Sequence, residues 1–354
     1  MHHLTGVVVG CIAIQFANSG YAVLLKQLDA SFNTVVFSLY RDVLCLPVLA
    51  ITSYVFEENF RQFPNTMNDI GIFTLLGTQA FLFQILFIVG VQISTPTTAS
   101  MWAASIPVVT AVLAVLVGIE PMPDHRSTEG IVKMLAVCFT GAGALVMSES
   151  SDAVGGLTGN LLLFGYVLAV CSNFVSQKRF IYSIPNSKWR SFPVKVVLFQ
   201  YMFASILIFI TAVVGKTFNI QALQFQGEKN SFYLPSKAFV PLFYSVFITS
   251  ALVGTFPIHH PLLVRVCSNA FLGTWWSVVT KYAPASFVAS FKPLGVPITL
   301  VLSLLAGLDA PVSWSKMIGF TLILCGLFPL CYVEYRNSCE TQLLNETTEE
   351  RLLG

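Results

Sequence analysis

Few side chains in this sequence could do chemistry, and most of them stand inside long apolar runs. Arg41 and Asp42 lie about 12 Å into one run, at roughly 1.5 Å of rise per residue. Lys292 precedes Pro293 in another run, with Pro297 a turn further on. A charge in an apolar medium costs about 3 kcal/mol even on lenient scales, so each must be paired, reach an interface or bind a solute. Arg41 either faces a cavity or locks helices at its edge, or else pairs with backbone carbonyls at a helix junction. Neighbouring helical positions point about 100° apart, so Arg41 and Asp42 are not expected to pair with each other. Asp42 is either a carrier of a coupled proton or a partly wetted structural acid. Pro293 and Pro297 each remove a backbone donor, so the helix there bends or unwinds where protein shields it from lipid. Lys292 beside such a bend suits an anionic or carboxylate-bearing solute, and a stem that snorkels to the interface explains it equally.

The uncharged candidates are amides. Asn18 with Gln15, Gln79 with Gln84, and Asn173 with Gln177 either hydrogen-bond a solute or tie helix to helix. Arg41, Asp42, Pro107 and Pro297 are candidates for gating or structural roles. GxSxG, Walker and HExxH motifs are absent, and His259 and His260 are adjacent, which makes them poor zinc ligands. No catalytic residue, metal site or cofactor is expected. The cysteines are scattered without a CxxC and read as small buried apolar residues.

These side chains need elements to hold them. Of the 354 residues, 55% are hydrophobic and 10% charged, so the solvent for most of the surface must be lipid. A net charge of +2 leaves no basic field for nucleic acid. Crossing about 30 Å of hydrocarbon takes roughly 20 helical residues, since each backbone polar group must be satisfied within its own segment. Runs of that kind fall at 5–25, 34–55, 70–90, 97–118, 129–147, 159–177, 194–214, 239–280 with an interruption, 285–306 and 315–334. The reading is ten spans, and the first run is a retained span, not a signal peptide. Lys and Arg favour the loops that put both termini in the cytosol, mainly through the loop after the sixth run. The sequon at Asn345 would then stay unglycosylated.

The chain repeats itself. Leu4-Thr5-Gly6 recurs as Leu157-Thr158-Gly159, and Ala99, Ser100 and Pro107 recur as Ala289, Ser290 and Pro297. Glu120 and Gly130 recur as Asp309 and Gly319. Five spans per half would invert the second half, which is how transporters make two symmetry-related gates. The boundaries are 1–147 for the first five-helix repeat, 148–156 for a linker, 157–335 for the second repeat, and 336–354 for a polar, disordered cytosolic tail. Residues 254–270, with two prolines, two histidines and Arg265, break the eighth run and read as an insertion or a retained intron. If both flanking pieces crossed, there would be eleven spans and an external tail.

The run Pro96-Thr-Thr-Ala-Ser with Ile106-Pro107-Val-Val-Thr-Ala, Glu120, Gly130 and Gly141-Ala-Gly143 resembles the EamA module of the drug/metabolite transporter superfamily. The second copy, from Ala285 through Phe291-Lys-Pro-Leu294 to Pro297 and Asp309, is similar to the plant nodulin-like, walls-are-thin branch. Asp309 stands where that family usually carries Glu. The resemblance implies an all-α membrane protein of ten transmembrane helices, arranged as two inverted five-helix repeats around a central cavity bounded by spans one, three, four, six, eight and nine. It implies that Trp102 and Trp276 line this cavity as flat aromatic walls, although membrane tryptophans also sit in interfacial belts. Asn18, Gln79, Asn173 and Lys292 complete the expected binding set. The expected function is secondary transport of a small organic solute, such as an amino acid or auxin-like acid, by alternating access. Alternatives are a nucleotide-sugar or triose-phosphate type carrier, and a non-transporting membrane scaffold or sensor. The implied partners are a small-molecule substrate and the lipid bilayer, with a homodimer left open.

Overall fold

A computed structural model describes residues 15–26, 33–57, 62–119, 127–149, 156–184 and 187–220, and, with short gaps, 232–248, 292–308 and 314–336. Trp276, Asp309, residues 254–270, residues 150–155 and the tail after 336 lie outside the described residues.

The described residues are helical, without strands. In chain order α1 covers residues 15–26, α2 Thr34–Phe56, α3 Met67–Ile93, α4 Pro96–Ala103, α5 Ile106–Leu116, α6 Thr128–Glu149 and α7 Gly156–Gln177. After a π-helical turn at Lys178–Tyr182 come α8 at Pro193–Phe218 and α9 at Phe239–Phe243, which runs on as a π turn over Tyr244–Ile248. A 3-10 turn at Lys292–Leu294 leads into α10 at Gly295–Leu305, and α11 is Met317–Gly326. Five of these segments are long and apolar enough to cross a membrane: Thr34–Tyr54, Met67–Ile93, Pro96–Leu116, Gly156–Tyr182 and Pro193–Phe218. They coincide with the second, third, fourth, sixth and seventh apolar runs.

Helix starts are fixed by capping. Asn33 accepts from the N–H groups of Val35 and Val36 at 2.9 and 3.2 Å, and Thr66 and Asp69 form a reciprocal capping box on α3. The fourth run, read as one span, is divided between α4 and α5. Pro107 has no N–H to donate, and the chain tightens there, with Ser105 N–H bonded to the Trp102 carbonyl at 3.0 Å. The thiol of Cys171 donates to the Ile106 carbonyl at 3.4 Å, re-satisfying backbone that the break exposes.

α5 and α10 end in the same way. Gly118 and Gly307 adopt positive φ of 74° and 66°, and Ile119 and Leu308 reach back to the carbonyls of Ala114 and Ser303, each at about the ordinary distance for such a bond. Only glycine takes this left-handed conformation without strain, so the two helices stop on the same device.

The packing has a clear sense of direction. α3 lies antiparallel to α7: Asn173 donates to the Leu76 carbonyl near one end, and Gly90 faces Leu163 near the other. α3 runs parallel to α8, with Phe73 against Phe199 and Gly77 against Phe203. α6 and α11 are antiparallel, because Gly143 lies on Gly319 and Ile323 while Gly326 lies on Ala136 and Phe139. Small residues permit this approach, and a Cβ on either glycine would strike backbone atoms of the other helix.

At one end, carboxylates tie the early helices to the late ones. Phe192 offers α8 no side-chain cap, and Glu57 from the end of α2 supplies one. It accepts from the N–H of Val194 at 2.7 Å and of Lys195 at 3.2 Å, and from the Ser53 hydroxyl at 3.0 Å. Burial pushes the Glu57 carboxyl up, while the Val194 N–H, the Ser53 hydroxyl and the Lys195 charge hold it down. Asp69 accepts from the Trp189 indole at 2.8 Å and pairs with Lys188 at 2.5 Å. Glu57→Ala removes the cap of α8, which should cost about 1 to 2 kcal/mol. A lowered melting temperature of the detergent-solubilised protein is the expected result, and an unchanged one would mean that the contact carries no stability.

Candidate functional site

A cavity of about 210 Å³ lies among the helices, and α1, α2, α3, α4, α7, α8, the turn after α9, and α10 with its preceding turn all contribute to its wall. Spans two and seven therefore join the six expected to bound it. The wall is aromatic and amide-rich: Tyr21, Phe83, Phe87, Tyr166, Phe174 and Tyr201 supply rings, and Gln15, Asn18, Gln84, Asn173, Gln177 and Gln200 supply amides. Rings in contact, such as Phe87 and Tyr166 at 5.0 Å between centroids, give it rigid apolar faces.

Arg41 and Asp42 are paired with each other, contrary to the expectation from helix geometry. Arg41 Nη2 lies 2.8 Å and Nε 3.0 Å from Asp42 Oδ1. The long arginine stem bridges to the neighbouring position, so the 100° between Cα–Cβ directions does not keep the groups apart. Nη1 donates to the Tyr21 hydroxyl at 2.9 Å, and Nη2 donates to Gln84 Oε1. The guanidinium carbon sits 5.5 Å from the Tyr21 ring centre. Arg41 lines the cavity, whereas Asp42 is fully buried behind it.

A second polar group is built from amides on two helices. Gln177 Nε2 donates to Asn173 Oδ1 at 2.9 Å and to Gln200 Oε1 at 3.0 Å. Among the described residues, Gln177 Oε1 and Gln15 Nε2 have no hydrogen-bond partner, although both side chains are buried and line the cavity. One is an acceptor and the other a donor, each available to a solute. Near the third pole, Lys292 and Gly295 line the wall, and Ser19 donates to the Gly295 carbonyl at 3.0 Å.

Asn18, Arg41, Asn173 and Lys292 thus meet at one cavity. Trp102 and Gln79 do not line it. The Trp102 indole donates to Asn160 Oδ1 at 2.9 Å and packs on Phe164, and Gln79 donates to the Ser176 hydroxyl at 3.0 Å. Pro107 is buried at the α4–α5 break, and Pro297 is exposed on α10. Gln15, Gln84 and Gln177 were legible as amides at depth, and Gln200 carries the same signal in the seventh run. Tyr21, Tyr166 and Tyr201 carry none, since a tyrosine in an apolar run is ordinary.

Apolar helices of spanning length around a buried polar cavity define an integral, multi-pass membrane protein. No family model matches the chain. A WAT1-related protein of Arabidopsis thaliana is 24% identical over 343 residues, taking in 91% of this chain and 80% of its own length. A second WAT1-related protein of that plant is 25% identical over 345 residues, with 91% and 84% covered. Protein WALLS ARE THIN 1, also of Arabidopsis, is 29% identical over 144 residues, 40% of this chain and 36% of that one. A crystal structure superposes with a TM-score of 0.57 at 13% identity, covering 94% of this chain and 99% of its own, and speaks to the fold alone. Over most of its length the chain is thus similar to plant WAT1-related proteins.

Trp102→Phe should cost about 1 kcal/mol through loss of the Asn160 hydrogen bond. The melting temperature should fall while the affinity for a ligand of the cavity stays the same. A weakened affinity at unchanged stability would return Trp102 to the binding wall.

Proposed function

We propose that this protein is a secondary transporter of a small organic solute, working by alternating access between two inverted five-helix halves. The observation that carries the reading is the cavity, which residues on both sides of the 148–156 linker enclose and which holds buried amides and cations with an aromatic wall. Transport sites lie where repeats meet, in polar chambers that lipid cannot reach. Arg41 and Lys292 on its wall favour a solute that carries negative charge.

The direction of packing supports the repeat. With α4 and α5 counted as one interrupted crossing, alternate crossings make α2 antiparallel to α8 and α6 antiparallel to α11, which is the arrangement inversion requires. The end of α2 meets the start of α8 through Glu57, and the α6–α11 glycine contacts run in opposite directions. An eleven-span chain would make α6 and α11 parallel, so this contact favours ten. The matching glycine caps of α5 and α10 favour it too. Both termini then face the cytosol, and the resident membrane is the plasma membrane or an internal one.

Uptake or counterflow in proteoliposomes, against amino acids, auxin-like acids and nucleotide sugars, with and without a proton gradient, tests the function. Lys292→Ala should weaken transport of anionic solutes about tenfold or more at normal insertion, the size of one lost charge-assisted hydrogen bond. Unchanged uptake would remove Lys292 from the site, and absence of flux for every solute despite measurable binding would favour a sensor.

A further inference from the structure

Asp42 is the one acid well inside any apolar run; the remaining Asp and Glu residues lie at run ends, in the connecting stretches or in the tail. Residues 249–291, outside the described residues, contain no Asp or Glu in their sequence. Any solute or coupling ion that needs a carboxylate at membrane depth therefore has Asp42 alone to use.

The way Asp42 is held is unusual for a permanent ion pair. Both Arg41 nitrogens that reach it share Oδ1, and Oδ2 has no hydrogen-bond partner among the described residues in a side chain that is wholly buried. A structural carboxylate is normally satisfied on both oxygens. Arg41, in contrast, lines the cavity, so its guanidinium is the part of the pair that an incoming solute meets. Among the described residues, Tyr21 from α1, Cys45 on α2 and Tyr201 from α8 are the other titratable groups within electrostatic reach, and α3 brings the Gln84 amide to the pair. None of those three is an acid that ionises below neutral pH.

We propose that Asp42 is a resident counter-ion for Arg41, that a monoanionic carboxylate displaces it from the guanidinium, and that the freed Asp42 takes a proton from solvent. The pair is neutral before the exchange, as Arg41 cation with Asp42 anion. It is neutral after it, as Arg41 cation with solute anion beside an uncharged Asp42. Leaving Asp42 ionised without its partner would strand a charge in the apolar interior, which costs several kcal/mol. One O–H bond forms at Asp42 as one breaks in a hydronium ion or buffer acid of the bathing solution, whose conjugate base stays in solution, and no oxidant is needed. Anion and proton binding are thereby linked one to one, which makes Asp42 the coupling site. This rests on the transporter reading only for its consequence in flux, because the linkage itself is a property of binding.

Calorimetry of benzoate binding to the purified full chain, in buffers of different ionisation heat, reads the proton directly. The wild-type protein should take up about one proton per benzoate, with affinity falling about tenfold per pH unit over the linked range. Asp42→Asn should bind benzoate at least as tightly, take up no proton and lose the pH dependence. The double variant Arg41→Gln, Asp42→Asn removes both charges while keeping their shapes, so it reads the outcome if the single variant fails to fold; its benzoate binding should be weaker and independent of pH. Equal proton uptake by wild type and Asp42→Asn would overturn the proposal, as would failure of Asp42→Asn to bind benzoate. Flux without proton linkage would leave the transporter standing and sink the relay, and linkage without flux would do the reverse.

Discussion

A guanidinium buried among apolar helices must have its donors matched, and much of the cavity is organised by meeting that demand for Arg41. Asp42 takes two of its nitrogens, and the Tyr21 hydroxyl and the Gln84 amide take the rest of the contacts seen. Those partners come from α1, α2 and α3, so one side chain fixes the register of three helices. Gln84 also accepts from Ser38 at 3.2 Å, which ties the network back onto α2. Ion pairs of this kind contribute position more than stability, since removing the charges from water offsets much of their attraction.

Around that core the fold is held by two unlike devices. Close approach of small residues joins α6 to α11, where no polar contact is needed. At the end where α2 gives way to α3, Glu57 and Asp69 instead reach across to the start of α8 and to the turn before it. The second device sits on buried rings, since Trp189, which donates to Asp69, also packs on Phe73 and Phe199.

Five of the spans were legible because lipid imposes a length and a composition on each helix, and the second, third, sixth and seventh runs matched their helices to within a few residues. The break between α4 and α5 was less legible, since Pro107 signals a bend without saying whether the chain continues through it. For the site, depth identified Asn18, Asn173, Arg41 and Lys292, which meet at the cavity. It did not separate them from Gln79 and Trp102, which lie at similar depth but turn to Ser176 and Asn160. Facing is a property of helix rotation, and rotation is set by neighbours that a single sequence does not reveal. The Arg41–Asp42 pairing was not legible for a different reason: backbone angles set neighbouring side chains apart, and the long arginine stem spans that separation.

Alternating access is tested most directly at Cys45, which lines the cavity from α2 and is 2% exposed. In a variant retaining only this cysteine, reconstituted in vesicles, a membrane-impermeant thiol reagent should label it when added to either side, and a transported solute should slow both reactions. Labelling from one side alone, with and without solute, would contradict a cavity that opens alternately to the two faces.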